Sequence, residues 1–187
     1  MFLSKDEQVL TEEYLTQGYL IRTVADINAL DWIRKQILYF SEKEIEIQTT
    51  SDANNRFNLI HKYLSISQLN QFRLKMINSI NAESEFRYHY FSLARPYLET
   101  LVGNELSMQL RINLSIQFPQ DNSSLLPVHA DTWSGDSPFE VVVWVPFVDC
   151  YGTKTMYLLP PEQNKNLDEK FILRAGGSSE DLYQSIK

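Results

Sequence analysis

Two side chains in the stretch Leu126-Pro127-Val128-His129-Ala130-Asp131-Thr132-Trp133 are of types that bind metal. His129 offers a neutral imidazole nitrogen and Asp131 a carboxylate oxygen, and both suit a first-row divalent ion. Residues two apart on extended backbone project to the same side, so one ion can take both. Together they supply two donors of a 2-His-1-carboxylate face, which suits Fe(II) and leaves three positions open. The chain has three histidines, His61, His89 and His129, and none follows His129. A His-x-Asp also arises by chance in loops, so its surroundings decide its weight.

Those surroundings carry strand signals. From Met108 to Phe118 the chain alternates, with Leu110, Ile112, Leu114, Ile116 and Phe118 on one side and Arg111, Asn113, Ser115 and Gln117 on the other. That period of two predicts a strand with one apolar and one polar face. Phe139 to Val148 is a β-branched run, the strongest strand signal in the chain. The pair falls between them, past the turn-rich Pro119-Gln120-Asp121-Asn122-Ser123-Ser124.

The first half reads as helical. Ser4-Lys5-Asp6-Glu7 is a capping-box pattern opening a helix that Gly18 can close. A short strand is expected over Tyr19 to Val24. Asp26 can cap a second helix, with Ile27, Leu30, Ile33, Ile37 and Phe40 at helical spacing. Gln48 to Asn58 is polar and reads as a loop. A third helix is predicted near Ser67 to Asn81, along Leu69, Phe72, Met76, Ile77 and Ile80. A fourth is predicted near Glu83 to Leu101, interrupted by Pro96 and stopped by Gly103. Helices followed by strands make an α+β order: a single domain over 1–187, with 1–103 mainly helical and 104–187 supplying strands.

At 187 residues the chain can bury a sizeable core, and ten Phe, ten Tyr and three Trp argue for a packed protein. A net charge of −7 argues against a nucleic-acid partner, whose phosphates demand clustered Lys and Arg. The apolar run from Val141 to Val148 is far short of a membrane span. Residues 4–7 turn acidic too soon for a secretory leader, and the single Cys150 suits a reducing compartment. A cytoplasmic location is the expectation, with a small-molecule partner and an oligomeric state that the sequence leaves open.

With the motifs assembled, the chain resembles the phytanoyl-CoA dioxygenase-like branch of the Fe(II)/2-oxoglutarate oxygenases. More narrowly it is similar to oxygenases of bacterial surface-carbohydrate and aminoglycoside biosynthesis clusters. The resemblance rests on His129-x-Asp131, on Trp144-Val145-Pro146-Phe147-Val148-Asp149, and on Met156-Tyr157-Leu158-Leu159-Pro160-Pro161-Glu162. The opening Glu13 to Arg22 is also similar to the family's first helix, Gly turn and strand. It implies helices packed on a double-stranded β-helix, a cupin-like jelly roll, here incomplete at its C-terminal end. It implies His129 and Asp131 as Fe(II) ligands, 2-oxoglutarate as cosubstrate, and hydroxylation of a small molecule, a sugar or sugar-derived metabolite.

The resemblance further sets Trp144 beside 2-oxoglutarate, against the plainer view of Trp144 as core. Gln117 is the member of the polar face expected nearest the iron pocket; a solvated outer face is the competing view. His61 and His89, among tyrosines in the helical half, read as structural. Glu140 and Asp149 read as surface groups, and Gly176-Gly177-Ser178-Ser179 as a turn. The family's second histidine, and the later basic residue that pairs with the distal carboxylate of 2-oxoglutarate, have no counterpart here. A C-terminally truncated oxygenase with little turnover of its own is the expectation, with a natural variant that uses two ligands or none as the competing explanation. The alternatives are a non-catalytic cupin-like binding module, in which the pair is structural, and a metal-dependent cupin isomerase or hydrolase.

Overall fold

The computed structural model describes residues 2–45, 53–122, 125, 129–162 and 164–165. Two compact units divide the chain: Met1–Ile21 with Leu125–Trp144 and Thr155–Lys187, and Arg22–Ser124 with Val145–Lys154. The expected loop residues 48–52, the strand residues 126–128 and the Gly176 to Ser179 turn lie outside the described residues.

In the first unit, α1 spans Lys5–Gln17. The predicted capping box forms: Glu7 N–H donates to Ser4 Oγ at 3.3 Å and Ser4 N–H donates to Glu7 Oε2 at 2.7 Å. The bond from Ser4 N–H, and then the Ser4 hydroxyl, hold the Glu7 carboxyl below its usual range. Gly18 closes the helix at φ 78°, a left-handed cap, and a Cβ there would come within 2.8 Å of Pro161 Cγ. Only glycine meets both demands.

The second unit holds the core. α2 (Ile27–Glu44) begins where Asp26 Oδ1 accepts the N–H groups of Asn28 and Ala29, as its N-cap sequence predicts. It buries Ala29, Ile33, Ile37 and Ser41, a stripe at four-residue spacing, while Ile27 is exposed. Of the expected stripe, Ile33 and Ile37 are buried, Leu30 and Phe40 are half-buried against the core, and Ile27 alone faces solvent. The Ser41 hydroxyl meets its buried demand by donating to Leu38 O at 2.7 Å. α3 (Ala53–Leu59) is helical where a loop was expected. α4 (Ile66–Ala82) buries Leu69, Phe72, Met76 and Ile80, close to the predicted face. The expected fourth helix splits into α5 (Phe86–Ser92) and α6 (Arg95–Val102), with Pro96 in the first turn of α6 and Gly103 closing it at φ 85°. α2 packs against α4 and α5, with Ile33, Met76, Ile80 and Phe86 almost fully buried between them. Each such side chain contributes roughly 1.5–3 kcal/mol. Tyr90 packs on this core, and burial pushes its hydroxyl up to about 12.

The double-stranded β-helix is overturned: among the described residues there is no β-strand, and the structure is helical. The expected strands at 19–24, 108–118 and 139–148 form no ladder. The period-two pattern nevertheless survives in the burial of residues 111–118. Ile112 and Phe118 are buried, Leu114 and Ile116 are half-buried, and Arg111, Asn113, Ser115 and Gln117 are exposed. The apolar side rests on the helical core, not on a second sheet. Asn81, near the end of α4, stands in for a partner strand: it accepts from Ile112 N–H at 2.8 Å and donates to Ile112 O at 2.9 Å. Arg87 of α5 donates to Met108 O at 2.9 Å.

Asn81→Ala leaves the N–H and C=O of Ile112 without these bonds in a partly buried place. Urea denaturation is expected to show a loss of about 1–3 kcal/mol with the unfolding slope unchanged. Asn81→Leu, which keeps side-chain bulk, is expected to lose a similar amount; a shift within error for both would remove the bridging role.

Candidate metal pair

His129 and Asp131 belong to the first unit. Ala130 between them is extended, at φ −122° and ψ 141°, so both side chains project to one side. Asp131 opens a 3-10 turn, Asp131–Ser134, that Gly135 ends at φ 98° by donating its N–H back to Thr132 O. Asp136 N–H donates to Asp131 O at 3.4 Å. The change from extended backbone to tight turn fixes the carboxylate beside the imidazole. His129 Nε2 lies 3.7 Å from Asp131 Oδ1, and the two side chains are 40% and 50% exposed. Metal bonds of about 2.1 Å put two donors on one ion roughly 3 Å apart in a cis arrangement and about 4 Å apart in trans. The observed separation is wider than the cis spacing of a facial site, and the exposure leaves the pair open to an ion from solvent.

The donor types suit a divalent first-row metal; the donor number does not complete a facial triad. Among the described residues no group of three or more His, Cys, Asp and Glu side chains comes together. The other histidines are taken up by aromatic packing in the second unit. His89 stacks on Trp32 with ring centroids 4.2 Å apart, and His61 meets the Phe118 ring edge-on at 6.5 Å. Trp144 is in the same unit as the pair, 45% exposed rather than core. Gln117 belongs to the other unit, on the exposed side of the 111–117 run.

Sequence reasoning missed a cavity of about 440 Å³ in the second unit, lined by Leu30, Asp31 and Arg34 of α2, by Asn58 of α3, and by Pro146 to Asp149. Arg34 forms its wall: the guanidinium donates to Phe147 O at 3.3 Å and sits 5.0 Å from the centre of the Phe57 ring. Phe57 in turn stacks on Phe147 at 5.7 Å. The spacing of Asp31 and Arg34 on one helix was visible in the sequence. Their meeting with Asn58 and Asp149 depends on tertiary packing and was not. No protein-family model, curated protein or solved structure matches the chain.

A two-donor site binds divalent metal weakly and depends on both members. Titration with Co(II), followed by its visible absorption, is expected to show one site per chain. His129→Ala and Asp131→Ala should each weaken it by at least about tenfold, equivalent to about 1.4 kcal/mol. Equal affinity in all three proteins would place the metal elsewhere.

Proposed function

We propose that this chain is an Fe(II)- and 2-oxoglutarate-dependent oxygenase-type domain for a small molecule, a sugar or sugar-derived metabolite, with His129 and Asp131 as its metal pair. The observation that carries the proposal is the same-side placement of imidazole and carboxylate, 3.7 Å apart across an extended alanine and open to solvent. Fe(II) with 2-oxoglutarate supplies the oxidising chemistry in such enzymes; the protein's share is to hold and orient. In this chain His129 and Asp131 hold the ion, the Gly135-capped turn keeps the carboxylate in place, and Trp144 is the side chain proposed to lie against the cosubstrate.

A second reading, a small-molecule-binding module without catalysis, is favoured by a separate observation. The cavity beside Arg34 is of a size that accepts a metabolite, and it brings two carboxylates, a guanidinium and an amide to one largely polar hollow.

The two readings part in an anaerobic titration with Fe(II) and 2-oxoglutarate. The oxygenase reading predicts a weak visible charge-transfer band that needs both additions and disappears in His129→Ala and in Asp131→Ala. With two protein donors, release of CO₂ from 2-oxoglutarate is expected to stay near background. The absence of any band at millimolar iron, with metabolites raising the thermal midpoint equally in the parent protein and both variants, would replace the oxygenase with the binding module.

A further inference from the structure

Past the bend at Leu110, the run 111–118 carries the Asn81 amide of α4 on one lateral edge at Ile112, and its other edge has no hydrogen-bond partner among the described residues. In extended backbone the N–H and C=O of a residue point to the same lateral side, and the side alternates along the chain. The even-numbered edge is blocked at Ile112, whose N–H and C=O are both taken by the Asn81 amide. The odd-numbered edge is not. The backbone N–H and C=O groups of Asn113, Ser115 and Gln117 have no hydrogen-bond partner among the described residues. Their side chains are exposed.

Natural edge strands usually discourage pairing with Lys, Pro, bulges or inward charges. Residues 108–118 contain no Lys, Pro, Gly, Asp or Glu, and a single charge, Arg111. Arg111 is drawn back toward α4, where its guanidinium donates to Asn78 Oδ1 at 3.0 Å. The apolar side is meanwhile fixed by burial of Ile112 and Phe118, so the edge is ordered before any partner arrives. Little further backbone entropy is lost on pairing.

We propose that this edge pairs with the same edge of a second copy of the chain, forming an antiparallel two-stranded junction across a two-fold axis. The pattern is self-complementary. Centred on Leu114, the pairing sets Asn113 opposite the partner's Ser115 and Arg111 opposite the partner's Gln117, with no like charges facing. Each copy carries a net charge of −7, and this strip, which lacks carboxylates, is where two copies meet without adding to their repulsion. Self-matching surfaces of this kind are the commonest route to homodimers.

Sedimentation velocity of the full chain across a concentration series tests the junction. The parent protein is expected to show a reversible monomer–dimer equilibrium. Asn113→Lys with Ser115→Lys puts lysine opposite lysine twice and should raise the dimer dissociation constant by about tenfold or more. Asn113→Lys with Ser115→Glu puts lysine opposite glutamate twice and should restore it. All three should keep the parent's far-ultraviolet circular dichroism, because positions 113 and 115 are exposed. A parent protein that stays monomeric up to millimolar concentration overturns the proposal. So does a dimer indifferent to both double variants, which would form through another surface.

Discussion

Burial of one side of α2 against α4 and α5 is the constraint on which the rest of the larger unit depends. Ile33, Met76, Ile80 and Phe86 are almost wholly removed from water there, and Leu93, between α5 and α6, joins them. The surrounding chain is placed by what it adds to this wall. Ile112, Leu114 and Ile116 lean on it from one run, and Val145 and Phe147 from a second segment that bends at Phe147. Ala25 N–H, bonded to Leu93 O at 2.8 Å, and the Tyr97 hydroxyl, bonded to Thr23 O at 3.0 Å, tie the chain entering α2 to the end of the helical set.

The same wall explains why helices were legible in the sequence and sheets were not. Caps act within four residues, so Ser4 with Glu7, Asp26, and the two stops at Gly18 and Gly103 declare helix ends locally. Alternation at 108–118 declares only that one side is buried; it does not say whether a sheet or a helix buries it. Here helices do, and the amide of Asn81 takes over the backbone of Ile112. No local pattern marks Asn81 for that role, since its partner is 31 residues away. α3 was missed because its seven polar-rich residues lack a sustained apolar stripe.

The candidate site divides along the same line. His129 and Asp131 were readable because a one-residue spacer on extended backbone decides their common direction. A third donor is a tertiary matter, and His61 and His89, the only other histidines, are committed to Phe118 and Trp32. An exposed pair of unlike donors has few structural uses. It buries nothing, and at 3.7 Å and this exposure an ion pair would contribute at most a few tenths of a kcal/mol. Metal binding is the chemistry proposed for the pair, with orientation set by Ala130 and the turn that Gly135 ends.

Paramagnetic broadening locates a metal without relying on turnover. With ¹⁵N-labelled protein and substoichiometric Mn(II), amide signals of Ala130 to Asp136 are predicted to broaden first, and to stay sharp in His129→Ala. Broadening centred elsewhere, or an unchanged pattern in His129→Ala, would contradict the assignment of His129 and Asp131 as the metal pair.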